Sequence, residues 1–259
     1  MNQVSENDVR RALRLLNQEV ESGGPLGRRR LLKLALLGAS AALLPGCSLT
    51  GDEDVQAWLR RISRWNDGAQ AALLRPGQRA LTYPAREVST PFRFNAFYSE
   101  ASVPDIDEAS WRLKVGGLVG RKDDWRLDQL RALAPSTEVT RLICIEGWSA
   151  IGQWTGIPLH HFLALIGADT SAKYVGFTCA DGYYTSIDMA SAMHPQTMLA
   201  FGFGGAGRLP DALGFPLRLR IPIKLGFKNP KHVTGLTVSN EFTSGYWEDL
   251  HGYNWFAGL

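Results

Sequence analysis

Apolar positions along the chain follow two periods. A spacing of three and four runs through "DEDVQAWLRRISRWNDGAQAALL", where Val55, Trp58, Leu59, Ile62 and Trp65 fall on one face and predict an amphipathic helix. The same period predicts short helices in "RLDQLRALAP", stopped by Pro135, and in "IPLHHFLALIG", with Pro158 near its start and Gly167 at its end. Alternation or β-branched runs predict strands in "SWRLKVGGLVG", in "STEVTRLICIEGW" up to a loop at Glu146-Gly147, and in "AKYVGFTCADGYYTSID", which turns midway. "TMLAFGFGGAGRLPDALGFPLRLRIPIKLGF" reads as short strands joined by turns, and the Pro-rich residues 75–105 as extended loop. Strands and helices mix without a βαβ rhythm, so the class is α+β. The organisation expected is a signal segment with a long leader over 1–46, a helix and extended linker over 47–91, and one strand-rich domain over 92–259.

Charge changes the picture only at the N terminus. Residues 1–46 hold seven of the 28 Lys and Arg and four of the 25 Asp and Glu, which leaves 21 of each sign beyond them. The folded part is neutral, and nucleic acid is excluded as a partner. Within the leader, Arg28-Arg29-Arg30-Leu31-Leu32-Lys33 resembles a twin-arginine export signal. The apolar run Leu34 to Leu44 is below the ~18 residues that span a bilayer. Leu44-Pro45-Gly46-Cys47 resembles a lipoprotein cleavage box, with cleavage near Ala39-Ser40-Ala41 the alternative. Export by the twin-arginine machinery to the periplasm or another extracytoplasmic site is expected, with a membrane anchor on a lipidated Cys47. A helix-forming stretch, "DVRRALRLLNQEV", precedes the signal; an extended cytoplasmic leader and a partner-binding helix are its two readings.

Three cysteines, Cys47, Cys144 and Cys179, form no C-x-x-C, no haem-attachment motif and no zinc spacing. Gly202 to Gly207 spells G-x-G-x-x-G, but Pro210 and Pro216 forbid the helix that a dinucleotide site needs, so it is a turn. His160 and His161 are helix neighbours that share no face, and His194 and His232 read as ordinary hydrogen-bonding residues. In "PLRLRIPIK", Arg218, Arg220 and Lys224 alternate with Leu217, Leu219, Ile221 and Ile223, with Lys228 and Lys231 following. This is either a solvated basic face or an anion cradle. Cys144 has three readings: an inert thiol, a nucleophile paired with a histidine as in a cysteine hydrolase or transpeptidase, or a soft ligand to a metal whose other ligands belong to an organic cofactor. Only the last explains a lone protein ligand.

"RLICIEGWSAIGQWTGIPL" resembles the molybdenum-binding segment of the sulfite oxidase family, closest to the branch that includes the bacterial protein-methionine-sulfoxide reductases. The resemblance runs from about Phe92 to Val238. It implies a single molybdopterin-binding domain of the sulfite oxidase type and a molybdenum–pyranopterin cofactor, with Cys144 as the metal ligand. "FNAFYS" implies pterin contacts from Asn95, Tyr98 and Ser99. Cys179 stands where the reductases have a pterin-contacting Thr, and Tyr183 where sulfite oxidases keep an active-site tyrosine, able to hydrogen-bond substrate. Arg218, Lys228 and Lys231 fall on the pterin-phosphate positions. One departure is Leu213, where the family has His or Asn.

The implied activity is two-electron oxygen-atom transfer. Glu146 and Trp148 beside the metal cysteine suit a neutral S-oxide or N-oxide, free or protein-bound, better than anionic sulfite. Sulfite oxidation and a non-catalytic lipoprotein binding module on a degenerate fold are the alternatives. No haem or flavin motif occurs, and the chain ends soon after the domain. The reading is a monomer that takes electrons from a separate redox partner, a membrane haem protein or a soluble cytochrome.

Overall fold

The computed structural model describes residues 53–73, 77–205 and 207–259. The expected export signal and Cys47 lie outside the described residues. Residues 59–259 form one compact unit, which holds nearly all the described elements.

Helix α1 spans Glu53–Leu73. Strand β1 (Lys114–Gly117) and helix α2 (Leu127–Arg131) lead into the hairpin β2 (Ser136–Ile143) and β3 (Ser149–Pro158), then α3 (Leu159–Leu165). A second hairpin, β4 (Tyr174–Cys179) and β5 (Tyr184–Asp188), is followed by α4 (Met189–Ala192), β6 (Met198–Phe203), β7 (Gly207–Arg208), β8 (Arg218–Arg220), β9 (Val233–Ser239) and α5 (Tyr246–His251).

Two sheets result. One runs β1-β9-β4-β5, with β1 parallel to β9 and the other pairs antiparallel. The other runs β2-β3-β6-β7, with β8 also on β6, and is antiparallel throughout. Parallel pairing needs a long crossover. Here β1 reaches β9 only after most of the domain has intervened, which locks the C-terminal third against the start. The G-x-G-x-x-G stretch is the β6–β7 turn, with Gly204 and Gly205 at φ of 75° and 96°, left-handed values that glycine adopts without strain.

The strand-rich α+β expectation holds, and the elements fall where the periodicities place them. Two segments take places that the local pattern left open. First, the apolar face of α1 does not pack inward: Trp58 and Trp65 are 60% and 74% exposed, and Leu59 and Ile62 also face solvent. Second, the basic alternating segment is no solvated face. Its strand ends at Arg220, and both the Arg and the Leu sides are buried from Leu217 to Lys224. Lys224 has left the strand; its Nζ lies 3.1 Å from Asp188 Oδ2 and donates to Phe256 O. Trp154, fully buried on β3, meets Phe92 and Phe203 edge to face, and Arg218 and Arg220 sit over its ring at 5.0 and 5.7 Å. A buried cation against an indole face keeps part of its electrostatic stabilisation.

Candidate active site

Cys144 is the first residue off β2, and the tight turn that follows fixes its place. Its N–H donates to Trp148 O, its carbonyl accepts from Gly147 N, and Gly147 takes a φ of 87°. The turn is short because β2 and β3 stay in register to Ile143 and Ser149. The thiol is half-buried, unpaired, and opens onto a cavity of about 290 Å³. Glu146 lies on the same turn, with Oε2 at 3.8 Å from Sγ and accepting from Trp148 Nε1 at 2.9 Å. Arg93 stacks over Trp148 at 4.8 Å. Burial first, then the Glu146 charge, pushes the thiol above its ordinary range, so the apoprotein holds it neutral.

Three segments build the cavity walls. Residues 93–100 contribute Asn95, Tyr98 and Ser99, as the sequence implied. Asn95 Oδ1 is buried without a partner. Tyr98 donates to Asp181 Oδ2 at 3.1 Å, and Ser99 Oγ meets Ser102 Oγ. The turn after β4 brings Asp181 and Tyr183. The Tyr183 hydroxyl donates to Phe227 O at 2.6 Å, so it braces the third segment rather than pointing free into the cavity. Burial, with Glu248 next, drives that phenol far above its ordinary range.

The third segment, residues 226–231, is the floor. Asn229 Oδ1 accepts from Arg220 Nη1 and Ile221 N, both at 2.7 Å, and its Nδ2 donates to Leu225 O, which ties the loop to β8. Lys231 reaches the wall, with Nζ donating to Ala212 O at 2.7 Å and lying 4.2 Å from the Phe94 ring. Lys228 does not. It is fully buried in an ion pair with Glu248 and is not among the residues that line the cavity, whereas the resemblance places it in the phosphate loop. Cys179 is buried at a register shift between β4 and β9 and is absent from the cavity wall; burial raises its thiol well above the ordinary range.

Behind the floor the charges do not balance. Arg218 is completely buried; Nη1 donates to Leu213 O, while Nε and Nη2 have no partner. Leu213 thus still engages the arginine, through its carbonyl. Among the described residues neither Arg218, Arg220 nor Lys231 makes a salt bridge. Burial pulls all three down: Arg218 to about 10, Arg220 to about 9 and Lys231 to about 6, with Arg218 adding to the effect on Lys231. Uncompensated buried cations are costly, and a bound anion is what relieves them.

Among the described residues no group of three or more His, Cys, Asp or Glu could hold a metal ion. The Cys144 thiol thus has the Glu146 carboxylate beside it but belongs to no such cluster among the described residues, and the cradle behind it is cationic. Those are the donors that a metal carried by an anionic organic cofactor needs. A larger open groove of about 560 Å³, between the end of α1 and residues 78–83, holds no nucleophile or soft ligand. Sequence reasoning missed Arg93, Asp181, Asn229 and the aromatics Phe97, Trp247 and Tyr253 of the cavity mouth. Phe97, Asp181 and Asn229 stand inside the motifs "FNAFYS", "CADGYY" and "GFKNPKHV"; Trp247 and Tyr253 lie in none of the motifs and carried no signal beyond aromatic richness.

Comparison with known proteins agrees with the geometry. Residues 100–247 match the family described as oxidoreductase molybdopterin binding domain. The chain is 52% identical over 231 residues to a provisionally named protein-methionine-sulfoxide reductase subunit, YedZ1, of Azospira oryzae, covering 89% of this chain and 87% of that one. It is 33% identical over 230 residues to the protein-methionine-sulfoxide reductase catalytic subunit MsrP of Ralstonia nicotianae, covering 80% of this chain and 66% of the relative. Against the MsrP of Xanthomonas axonopodis the figures are 35% over 167 residues, 58% of this chain and 52% of that one, so the chain spans about half to two thirds of these two relatives. Among solved structures, the sulfane dehydrogenase SoxCD from Paracoccus pantotrophus shares the fold, with a TM-score of 0.51 at 21% identity over 56% of this chain and 42% of that one.

Proposed function

Because the chain belongs to the molybdopterin-binding oxidoreductase family, we propose that it reduces an S-oxide or N-oxide, as a methionine-sulfoxide reductase does, outside the cytoplasm. The observation that carries this reading is the lone Cys144 thiol at a cavity backed by buried cations without counter-charges. Cys144 would ligate molybdenum. Lys231 and Arg218 would take the pterin phosphate, and Asn95, Tyr98 and Ser99 would contact the pterin. When bound, the group supplies Lewis acidity and a two-electron couple for oxygen-atom exchange.

The chain's own residues set the rest. Reduction of a sulfoxide to a sulfide consumes two electrons and two protons and releases water. Glu146 holds negative charge beside the Cys144 sulfur, which repels sulfite and tolerates a neutral oxide. Phe97 packs with Tyr98, Tyr183 and Tyr246, an aromatic wall that suits a thioether-like group. Asp181 fixes the Tyr98 hydroxyl, and Phe227 O fixes that of Tyr183. Electrons would come from a separate partner, a membrane haem protein or a soluble cytochrome. The twin-arginine-like and lipoprotein-like segments support export to the periplasm with an anchor at Cys47.

The test is molybdenum by mass spectrometry in protein from a host that makes the pterin, beside Cys144→Ser. One metal per chain, lost in the variant, with turnover of sulfoxides and none of sulfite, is expected. No metal in the wild type would put a non-catalytic binding module in place of the enzyme. Turnover of sulfite alone would reverse the substrate class.

A further inference from the structure

Helix α1 is amphipathic the wrong way round for a surface helix. Its polar side faces the body: Asp67 Oδ1 accepts from Asn254 Nδ2 and Phe256 N at 2.7 and 3.0 Å, and Arg64 sits 4.5 Å from the Phe242 ring. Its apolar side faces out. Trp58, Ile62 and Trp65 recur at helical spacing, flanked by Leu59 and Leu73, and all five are exposed, from 42% to 83%. Leaving two tryptophans and three aliphatics in water along one stripe costs solvation, and such a stripe marks a contact surface.

We propose that the outward face of α1 is a membrane-docking surface that lays the protein on an anionic lipid bilayer. Three observations choose this occupant. From Trp58 to Leu73 the charged residues are Arg60, Arg61, Arg64 and Asp67; Asp67 is turned inward onto Asn254 and Arg64 onto Phe242, which leaves Arg60 and Arg61 exposed and the outward charge positive. Tryptophan beside arginine is the composition of an interfacial helix, with the indoles at headgroup depth and the guanidinium groups among phosphates. Only five residues separate Cys47 from Glu53. At ~3.5 Å per residue, a lipid on Cys47 would keep α1 within about 20 Å of the bilayer. A second copy of the chain is a poorer fit, because pairing α1 with itself brings like-charged arginine rows together. The inference rests on the export reading only for its biological setting, since the vesicle measurement needs neither lipidation nor molybdenum.

The experiment uses the full chain carrying Cys47→Ser, so that no lipid contributes, sedimented with vesicles of phosphatidylglycerol and phosphatidylethanolamine or of phosphatidylcholine alone. Binding to the anionic vesicles that weakens with salt is expected. It should fall by about tenfold or more when Trp58, Leu59, Ile62 and Trp65 are all changed to Ser. Because those side chains are exposed, the melting temperature of this variant should stay near wild type. The milder Arg60→Gln/Arg61→Gln pair leaves the apolar stripe intact and should lower anionic binding by about tenfold or more. Equal binding by wild type and both variants would place any membrane affinity elsewhere in the chain and overturn the proposal. So would no vesicle binding together with a dimer that the Ser variant abolishes, which would make the face a contact between copies.

Discussion

Removing the Glu248 carboxylate should strand a buried ammonium. Lys228 and Glu248 are 0% and 4% exposed and face each other in an ion pair. The next nearest charges are Asp67 and Asp188, which act on Lys228 only at longer range, and Lys224 shares the same region and repels it. Glu248→Gln therefore leaves the lysine to be neutralised or hydrated at the domain's expense. Breaking a buried pair from one side costs about 3–5 kcal/mol. In a folded body of this size each kcal/mol moves the melting temperature by about 2–4 °C, so a fall of about 10 °C is expected in calorimetry. Replacing both partners, Lys228→Met with Glu248→Leu, removes the stranded charge and should recover most of that loss, because an apolar pair of similar volume is close to neutral. Metal content in the double variant adds a functional reading. Lys228 is not among the residues that line the cavity, so molybdenum should stay at the wild-type level. A drop below about 2 °C in Glu248→Gln, or a double variant no better than the single, would refute the energetic reasoning. Metal loss in a double variant of normal melting temperature would refute the placement of Lys228.

Lys231, held at about 6 by burial, is depressed far below its unfolded value. The unfolded chain then binds more protons between those two values, so the stability of the cofactor-free protein should rise with pH from about 6 towards 10, and Lys231→Met should flatten that rise. Tyr183→Phe removes the bond to Phe227 O and should cost about 1 kcal/mol while leaving metal content intact; an unchanged melting temperature with activity lost a hundredfold would instead put the hydroxyl on the substrate. Gly156→Ala would place a Cβ 2.1 Å from Leu199 O at the register shift between β3 and β6, so the strands must part. A loss of about 3 kcal/mol or more, read as low soluble yield and early melting, is expected, and near-normal melting would show that the shift is pliable.

Much of the fold was legible because alternation is a local property. β2, β4 and β9 announce themselves by β-branched runs, and α3 by its proline and glycine ends. Cys144 was legible as a candidate because its thiol stands alone in a long motif, and the structure opens it onto the cavity. Which way a face points is a property of the rest of the molecule, and there the sequence misled. The stripe of α1 looks like core and is solvent-facing, because the body already has its core in Trp154, Phe162 and their neighbours and offers α1 polar partners instead. Lys228 and Lys231 stand three apart in one loop and diverge, one to Glu248 and one to Ala212 O, because α5 supplies a carboxylate on one side only. The aromatic mouth joins residues from positions 97, 247 and 253, a distance no spacing rule bridges.

The position of β9 between β1 and β4 governs when this protein first exists during its synthesis. A growing chain releases β1, β4 and β5 early, yet β1 has no strand to pair with until residues 233–239 emerge. The cavity floor, residues 226–231, arrives only just before. A ribosome that stalls ahead of Ser239 therefore leaves open strand edges, the surfaces on which chains aggregate and proteases act. Because β9 and the loop before it both close the sheet and finish the cavity, a molecule able to take up its cofactor is also one whose sheet is already closed. Inspection for folding and inspection for loading then become the same event.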